Sequence, residues 1–313
     1  MLLSIVLLLV GLALVVYGSD ILVDGASAVA KKIGISDFVI GIVIVGFGTS
    51  CPELVVSVTG ALEGSSAIAL GNVIGSNIFN VLFILGLTAL LSPIAVTRQN
   101  KQIDIPILLC ITIFFCLIVL KGTLNRIDAL IFLLVFAAYL YYNFKTGKQN
   151  AAEDEEGQQV KTHSTFVCAV MIIAGLAGLI FGGKMFVNSA VDIAHRLGAS
   201  EKFTAITILA VGTSLPELMT CIVAMAKKKG QLALGNIVGS NVFNILLILG
   251  VSGLILPMQT TSLNYVDLAA LLLASLSLFI FSYTSKSQSL SKPCGITMLI
   301  LEVLYMSYLF VQL

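Results

Sequence analysis

Apolar runs of roughly 20 residues, separated by short polar breaks, recur along all 313 residues of the chain, and each is long enough to cross a bilayer as a helix. Ten spans are read, at about residues 2–24, 37–61, 67–91, 103–120, 127–144, 165–188, 202–226, 232–256, 264–283 and 294–312. The pattern predicts an all-α polytopic membrane protein. The first run, MLLSIVLLLVGLALVV, lacks a basic leading segment and a small-residue cleavage site, so it reads as a first transmembrane helix and not a signal peptide. The longest polar interruption is KTGKQNAAEDEEGQQVKTHS, residues 145–164. Its composition predicts a flexible linker, with EDEE as a solvated charge run.

The linker divides the chain into two halves of five spans, 1–144 and 165–313, and the halves are related. With an offset of 164 (217 − 53), Gly48-Thr49-Ser50 falls on Gly212-Thr213-Ser214, and Pro52-Glu53 falls on Pro216-Glu217. ALGNVIGSNIFNVLFILG (69–86) falls on ALGNIVGSNVFNILLILG (233–250). This is an internal duplication. An odd number of spans per repeat makes the second repeat enter the membrane from the opposite side, which is the inverted-repeat plan of many secondary transporters. With both termini outside and the linker cytoplasmic, twelve Lys and Arg residues fall in cytoplasmic segments and five elsewhere, as the positive-inside rule requires.

Composition then removes other classes. The chain is 58% hydrophobic and 11% charged with net charge +1, so no basic face for nucleic acid is visible. The six cysteines have no CxxC spacing and lie in or beside apolar runs, which points to packing residues. The plan requires a lipid bilayer and no cofactor. A monomer suffices for it, and the sequence leaves the oligomeric state open.

The chemistry lies in two polar motifs inside the apolar runs. In GFGTSCPELVVS (46–57), Pro52 removes a backbone donor and displaces the carbonyl one turn back, with Gly46 and Gly48 beside it. An opened helix at membrane depth is tolerated where it lines a polar cavity, so carbonyls near Gly46 become candidate oxygen ligands. Thr49 and Glu53 are four residues apart and share a face. The second repeat supplies Pro216, Gly212, Thr213 and Glu217, with carbonyls near Ala210. In GNVIGSNIFN, Ser76 and Asn80 form a second such pair, repeated as Ser240 and Asn244. Asn77 and Asn241 sit off that stripe and read as structural hydrogen-bonding residues, while Asn72 and Asn236 fit either role. Gly71, Gly75, Gly235 and Gly239 are expected to let these helices approach neighbours closely.

A buried carboxylate costs about 3 kcal/mol or more on membrane insertion scales, and neither motif contains Lys or Arg to neutralise it. Bound ions or protons must do so. The candidate ligands are all oxygens, which suits hard cations. Ca²⁺ accepts dehydrated carboxylate and carbonyl sites more readily than Mg²⁺.

Together, the duplicated GTSxPE and GNxxGSNxxN motifs resemble the α-repeats of the cation/Ca²⁺ exchanger superfamily, and the closest resemblance is to its prokaryotic sodium/calcium exchangers. The resemblance implies a central site in which Glu53 and Glu217 bind Ca²⁺ and Na⁺ alternately, with Thr49, Ser50, Ser76 and Asn80 and their counterparts Thr213, Ser214, Ser240 and Asn244. It also implies exchange of three Na⁺ for one Ca²⁺, with the first and sixth helices sliding across the other eight. Many relatives carry aspartate where this chain has Asn244, including the K⁺-dependent branch, which argues against K⁺ co-transport here. A centre of charge −2 is neutralised by one Ca²⁺ and left at +1 by three Na⁺.

The alternatives are a Ca²⁺/H⁺ exchanger, a cation channel and an intramembrane hydrolase using two carboxylates. The first typically places an acid where this chain has Gly75 and Gly239, and the second requires an open polar path. Asp20, Lys184 and Glu302 carry no motif and read as rim or packing charges.

Overall fold

The computed structural model describes residues 1–154, 163–197, 210–261, 263–285 and 288–311. It is built of helices: α1 Leu2–Ile33, α2 Asp37–Thr49, α3 Cys51–Leu62, α4 Ser66–Leu91, α5 Asn100–Leu120, α6 Arg126–Asp154, α7 Thr165–Arg196, α8 Ala210–Thr213, α9 Leu215–Ala226, α10 Gly230–Ile255, α11 Tyr265–Thr284 and α12 Lys292–Val311. Among the described residues, eight helices are long and apolar enough to cross a membrane, and α2 with α3, bent by 49° at their break, makes a ninth when the pair is counted as one span. The tenth expected span, 202–226, lies partly outside the described residues, and α9 is its apolar described part. The chain is an integral membrane protein of the all-α class.

Helix ends follow local side chains. Ser36 Oγ accepts from Val39 N at 3.3 Å, Ser164 Oγ from Val167 N at 3.2 Å, and Asn264 Oδ1 from Val266 N at 3.1 Å. Each satisfies one of the donors a helix start leaves open. Gly34 ends α1 at φ 71°, a conformation that favours glycine. Two expectations change. α1 runs nine residues past its apolar stretch, to Ile33, and α6 continues as helix into the expected linker as far as Asp154.

The described residues form two compact units, Met1–Pro52 with Asn143–Gly235 and Glu53–Tyr142 with Asn236–Leu313. Each unit draws on both sequence repeats. In the first unit, α1 and α7 pack along most of their length. A Cβ on Gly18 would stand 2.8 Å from Gly175 O, one on Gly182 2.9 Å from Gly11 O, and one on Gly11 2.7 Å from Phe186 N. Backbone-to-backbone approach of this kind drives helix association where lipid offers no hydrophobic gain. Gly18→Leu is therefore expected to prevent this pairing and to abolish a monodisperse peak on size exclusion in detergent, whereas Leu9→Ala on the lipid-facing side leaves it intact.

The ends of each unit group consistently. In the first, Ser36 N bonds Gly147 O, Lys32 Nζ bonds Thr165 Oγ1, and Lys227 Nζ stands 2.7 Å from Asp20 Oδ1 and 2.7 Å from Asp24 Oδ1. Asp20, half-exposed, is thus an ion-pair partner of Lys227. In the second unit, two short antiparallel ribbons tie loops together: Ile94–Ala95 with Ser289–Leu290, and Thr123–Leu124 with Met258–Gln259. Each ribbon joins loops that the charge pattern assigns to one side of the membrane.

Candidate functional site

The two duplicated segments break in the same way. Ser50 lies between α2 and α3 at φ −83°, ψ 6°, and Ser214 lies between α8 and α9 at φ −88°, ψ 7°. Proline follows two residues later in each, within the first turn of α3 and α9, where its missing N–H has no intrahelical partner to lose. The break is confined to that serine, so the backbone is less unwound than the sequence suggests. It is preceded by a π-helical stretch, Gly41–Gly46, a form that recurs at functional sites.

Gly46, the expected carbonyl ligand, is helical, and its O accepts from Ser50 N at 3.1 Å and from Thr49 Oγ1 at 3.4 Å. Ala210, its counterpart, opens α8. Gly48 and Gly212 are also helical, so their role differs from the expected backbone freedom. A Cβ on Gly48 would lie 2.3 Å from Leu176 Cδ2, and one on Gly212 2.2 Å from Val187 Cγ2. Both glycines make room for side chains of α7.

In the first unit, Thr49, Ser50, Ser214 and Glu217 are buried, and Ser50 Oγ donates to Glu217 Oε1 at 3.2 Å. Thr213, at the end of α8, is half-buried. A residue of one repeat thus touches the glutamate of the other. This hydrogen bond orients the Glu217 carboxyl.

In the second unit, Glu53 is 1% exposed. Asn72 Nδ2 donates to Glu53 O at 3.1 Å and to Ser57 Oγ at 2.8 Å. That answers one open question: Asn72 binds α4 to α3 beside Glu53. Ser57 Oγ also donates to Ala69 O, as Cys221 Sγ does to Ala233 O in the other repeat.

The second motif gives the most ordered geometry. Asn77 Nδ2 donates to Asn241 O at 3.3 Å, and Asn241 Nδ2 donates to Asn77 O at 3.2 Å. Asn80 Nδ2 donates to Asn241 Oδ1 at 3.0 Å, and Asn244 Nδ2 to Asn77 Oδ1 at 2.9 Å. The four amides form a reciprocal cross. Asn77 and Asn241 hold the nitrogen ends of Asn80 and Asn244, which fixes where the oxygen ends point. Asn80 Oδ1 and Asn244 Oδ1 are buried with no hydrogen-bond partner. A buried acceptor without a donor costs about 1–3 kcal/mol. Two of them, at equivalent positions, are chemically suited to a cation, and Ser76 and Ser240 are buried one turn before them.

π-helical turns follow in both repeats, Asn80–Leu85 and Phe243–Ile248. The sequence did not reveal them, because a π turn keeps the same apolar side chains. Gly71 and Gly75 are corrected: a Cβ on either would meet nothing within 4 Å. Gly235 keeps its expected role, with Phe38 O 2.2 Å from such a Cβ. Among the described residues, no group of three or more His, Cys, Asp or Glu gathers as a metal cluster. The candidate ligands are instead spread over carboxylate, hydroxyl and amide oxygens.

The family profile described as sodium/calcium exchanger protein matches residues 3–145 and 167–313. The chain is 31% identical to the sodium/calcium exchanger MaX1 of Methanosarcina acetivorans over 351 aligned positions, covering 97% of each. It is 34% identical to the inner membrane protein YrbG of Escherichia coli over 287, covering 88% of this chain and 87% of that one. The solved sodium-calcium exchanger NCX_Mj superposes with a TM-score of 0.86 at 32% identity, covering 98% of both chains. The chain belongs to the sodium/calcium exchanger family, a family of transporters within the cation/Ca²⁺ exchanger superfamily.

Proposed function

We propose that this protein exchanges Na⁺ for Ca²⁺ across the membrane by alternating access, with both ions competing for Glu53 and Glu217. The observation that carries this reading is the pair of duplicated glutamates, each directly after a proline and each buried, at 1% and 0% exposure, in apolar membrane segments. Charge of that kind in hydrocarbon marks an ion path. Ca²⁺ takes six to eight oxygens in loose geometry. The proposed supply is Glu53, Glu217, Thr49, Thr213, Ser50, Ser214, Ser76, Ser240, Asn80 and Asn244, with the carbonyls of Gly46 and Ala210. Because Thr49 already donates to Gly46 O, recruiting that carbonyl exchanges a hydrogen bond for an ion contact.

Competition for shared ligands is what couples the two fluxes. A site that holds either one Ca²⁺ or several Na⁺, and that changes the side it faces only when cations occupy its carboxylates, exchanges one for the other. The two five-span repeats, 1–144 and 165–313 joined by the cytoplasmic linker 145–164, supply equivalent half-sites of opposite orientation, which suits access from each side in turn. The proposed orientation has both termini outside, in the cell's inner or plasma membrane.

Purified protein in liposomes tests this with two gradients imposed separately. An outward Na⁺ gradient at uniform pH is expected to drive uptake of radiolabelled Ca²⁺, and a pH gradient without Na⁺ is expected to drive none. Uptake with the pH gradient alone would instead assign a Ca²⁺/H⁺ exchanger. Flux that needs no ion on the opposite side would assign a channel.

A further inference from the structure

Glu302 lies mid-way along α12, is 3% exposed, and has no hydrogen-bond partner on either Oε1 or Oε2. α12 packs against the second half of α4 and against α11. The contact with α4 is close: a Cβ on Gly295 would stand 2.5 Å from Gly86 O, and one on Gly86 3.1 Å from Met298 Cβ. The facing stretch of α4, Asn80–Leu91, contains no titratable side chain, and Thr88 spends its hydroxyl on Ile84 O. On α11 the titratable groups are Tyr265, Asp267 and Tyr283, and on α12 they are Lys292, Cys294, Tyr305 and Tyr308. Tyr305 donates to Asp267 Oδ1 at 3.0 Å, and Tyr308 OH accepts from Asn264 Nδ2. None of these groups hydrogen-bonds Glu302, and neither do the proposed ion ligands.

An ionised carboxylate so placed would be a buried charge without compensation, which is strongly unfavourable. A hard cation would need about six oxygens around it, yet among the described residues no side chain hydrogen-bonds either carboxylate oxygen of Glu302. A proton needs only the carboxylate itself. We propose that Glu302 is a proton-binding site within the membrane, separate from the ion-exchanging residues, and that it must stay protonated for α12 to remain seated on α4. The neutral form is the packed one, so seating is complete at acid pH and weakens as alkaline pH removes the proton.

Dicyclohexylcarbodiimide tests this directly. The O–H of a protonated carboxyl adds across one C=N bond of the reagent to give an O-acylisourea, which rearranges to a stable N-acylurea with no other reactant. In native membranes the peptide containing Glu302 is expected to carry the adduct to the same extent with and without Ca²⁺, Na⁺ or K⁺. Glu302→Gln is expected to lose that adduct, to keep neutral-pH Ca²⁺ flux within about twofold of wild type, and to flatten its alkaline decline. Absence of adduct at Glu302 from acid to alkaline pH would overturn the proposal, as would protection by any of the three cations, which would make Glu302 a metal site. The labelling result stands whatever the flux assays say of Na⁺/Ca²⁺ exchange, so the two readings fail separately.

Discussion

Glu53→Gln and Glu217→Gln are each expected to abolish Na⁺-driven Ca²⁺ uptake while leaving the protein folded. The substitution keeps shape and hydrogen-bonding capacity and removes one unit of charge. Removing one of the two carboxylates from a buried ion site costs about 3–5 kcal/mol, which is about 10²- to several 10³-fold in apparent Ca²⁺ affinity. Thermal unfolding in detergent separates loss of binding from loss of fold. Wild type is expected to gain about 2.7 kcal/mol at Ca²⁺ 100-fold above Kd. The two variants should gain none at that concentration, yet melt at or above the wild-type temperature without ions, since one buried charge is gone. Full exchange in either variant would remove that glutamate from the site.

Asn77→Leu is expected to weaken Ca²⁺ binding although Asn77 is not itself a proposed ligand. It removes the acceptor that holds Asn244 Nδ2 at 2.9 Å and the donor to Asn241 O. The Asn244 amide is then free to turn its nitrogen, and not its oxygen, toward the ion. An orientation loss of about 1–3 kcal/mol corresponds to roughly 5- to 150-fold in Kd. The informative variant is the double one. A carboxylate presents oxygen whichever way it turns, so Asn77→Leu with Asn244→Asp is expected to recover most of the lost affinity. If Asn77 only stabilises helix packing, Asn244→Asp recovers nothing. By symmetry, Asn241→Leu with Asn80→Asp behaves likewise.

What was legible in the sequence follows from which forces leave a mark on residue type. Span edges were clear because bilayer thickness sets the length of apolar runs: 67–91 was expected and α4 is Ser66–Leu91, 264–283 was expected and α11 is Tyr265–Thr284. Pro52 and Pro216 located the two breaks, because proline cannot donate. Their small extent was not legible, since a helix resuming at Cys51 needs no special residue. The role of Gly48 and Gly212 was misread for a related reason. A glycine that permits a turn and a glycine that admits Leu176 or Val187 are the same letter. The same ambiguity hid the α1–α7 seam, whose Gly11, Gly18 and Gly25 recur every seven residues. Asn77 and Asn241 carried a partial signal in their three-residue spacing from Asn80 and Asn244, but reciprocal pairing between segments 164 residues apart (241 − 77) is a tertiary fact. The Lys227 pairing with Asp20 and Asp24 is of the same kind.

The claim that Ca²⁺ and Na⁺ share one pair of glutamates is tested most directly by equilibrium binding of radiolabelled Ca²⁺ to purified protein across a series of Na⁺ concentrations. Shared ligands require the apparent Ca²⁺ Kd to rise steeply, with more than the first power of Na⁺, while the number of Ca²⁺ sites stays constant. A Ca²⁺ Kd indifferent to Na⁺, in protein that still shows Na⁺-dependent Ca²⁺ flux, would contradict it.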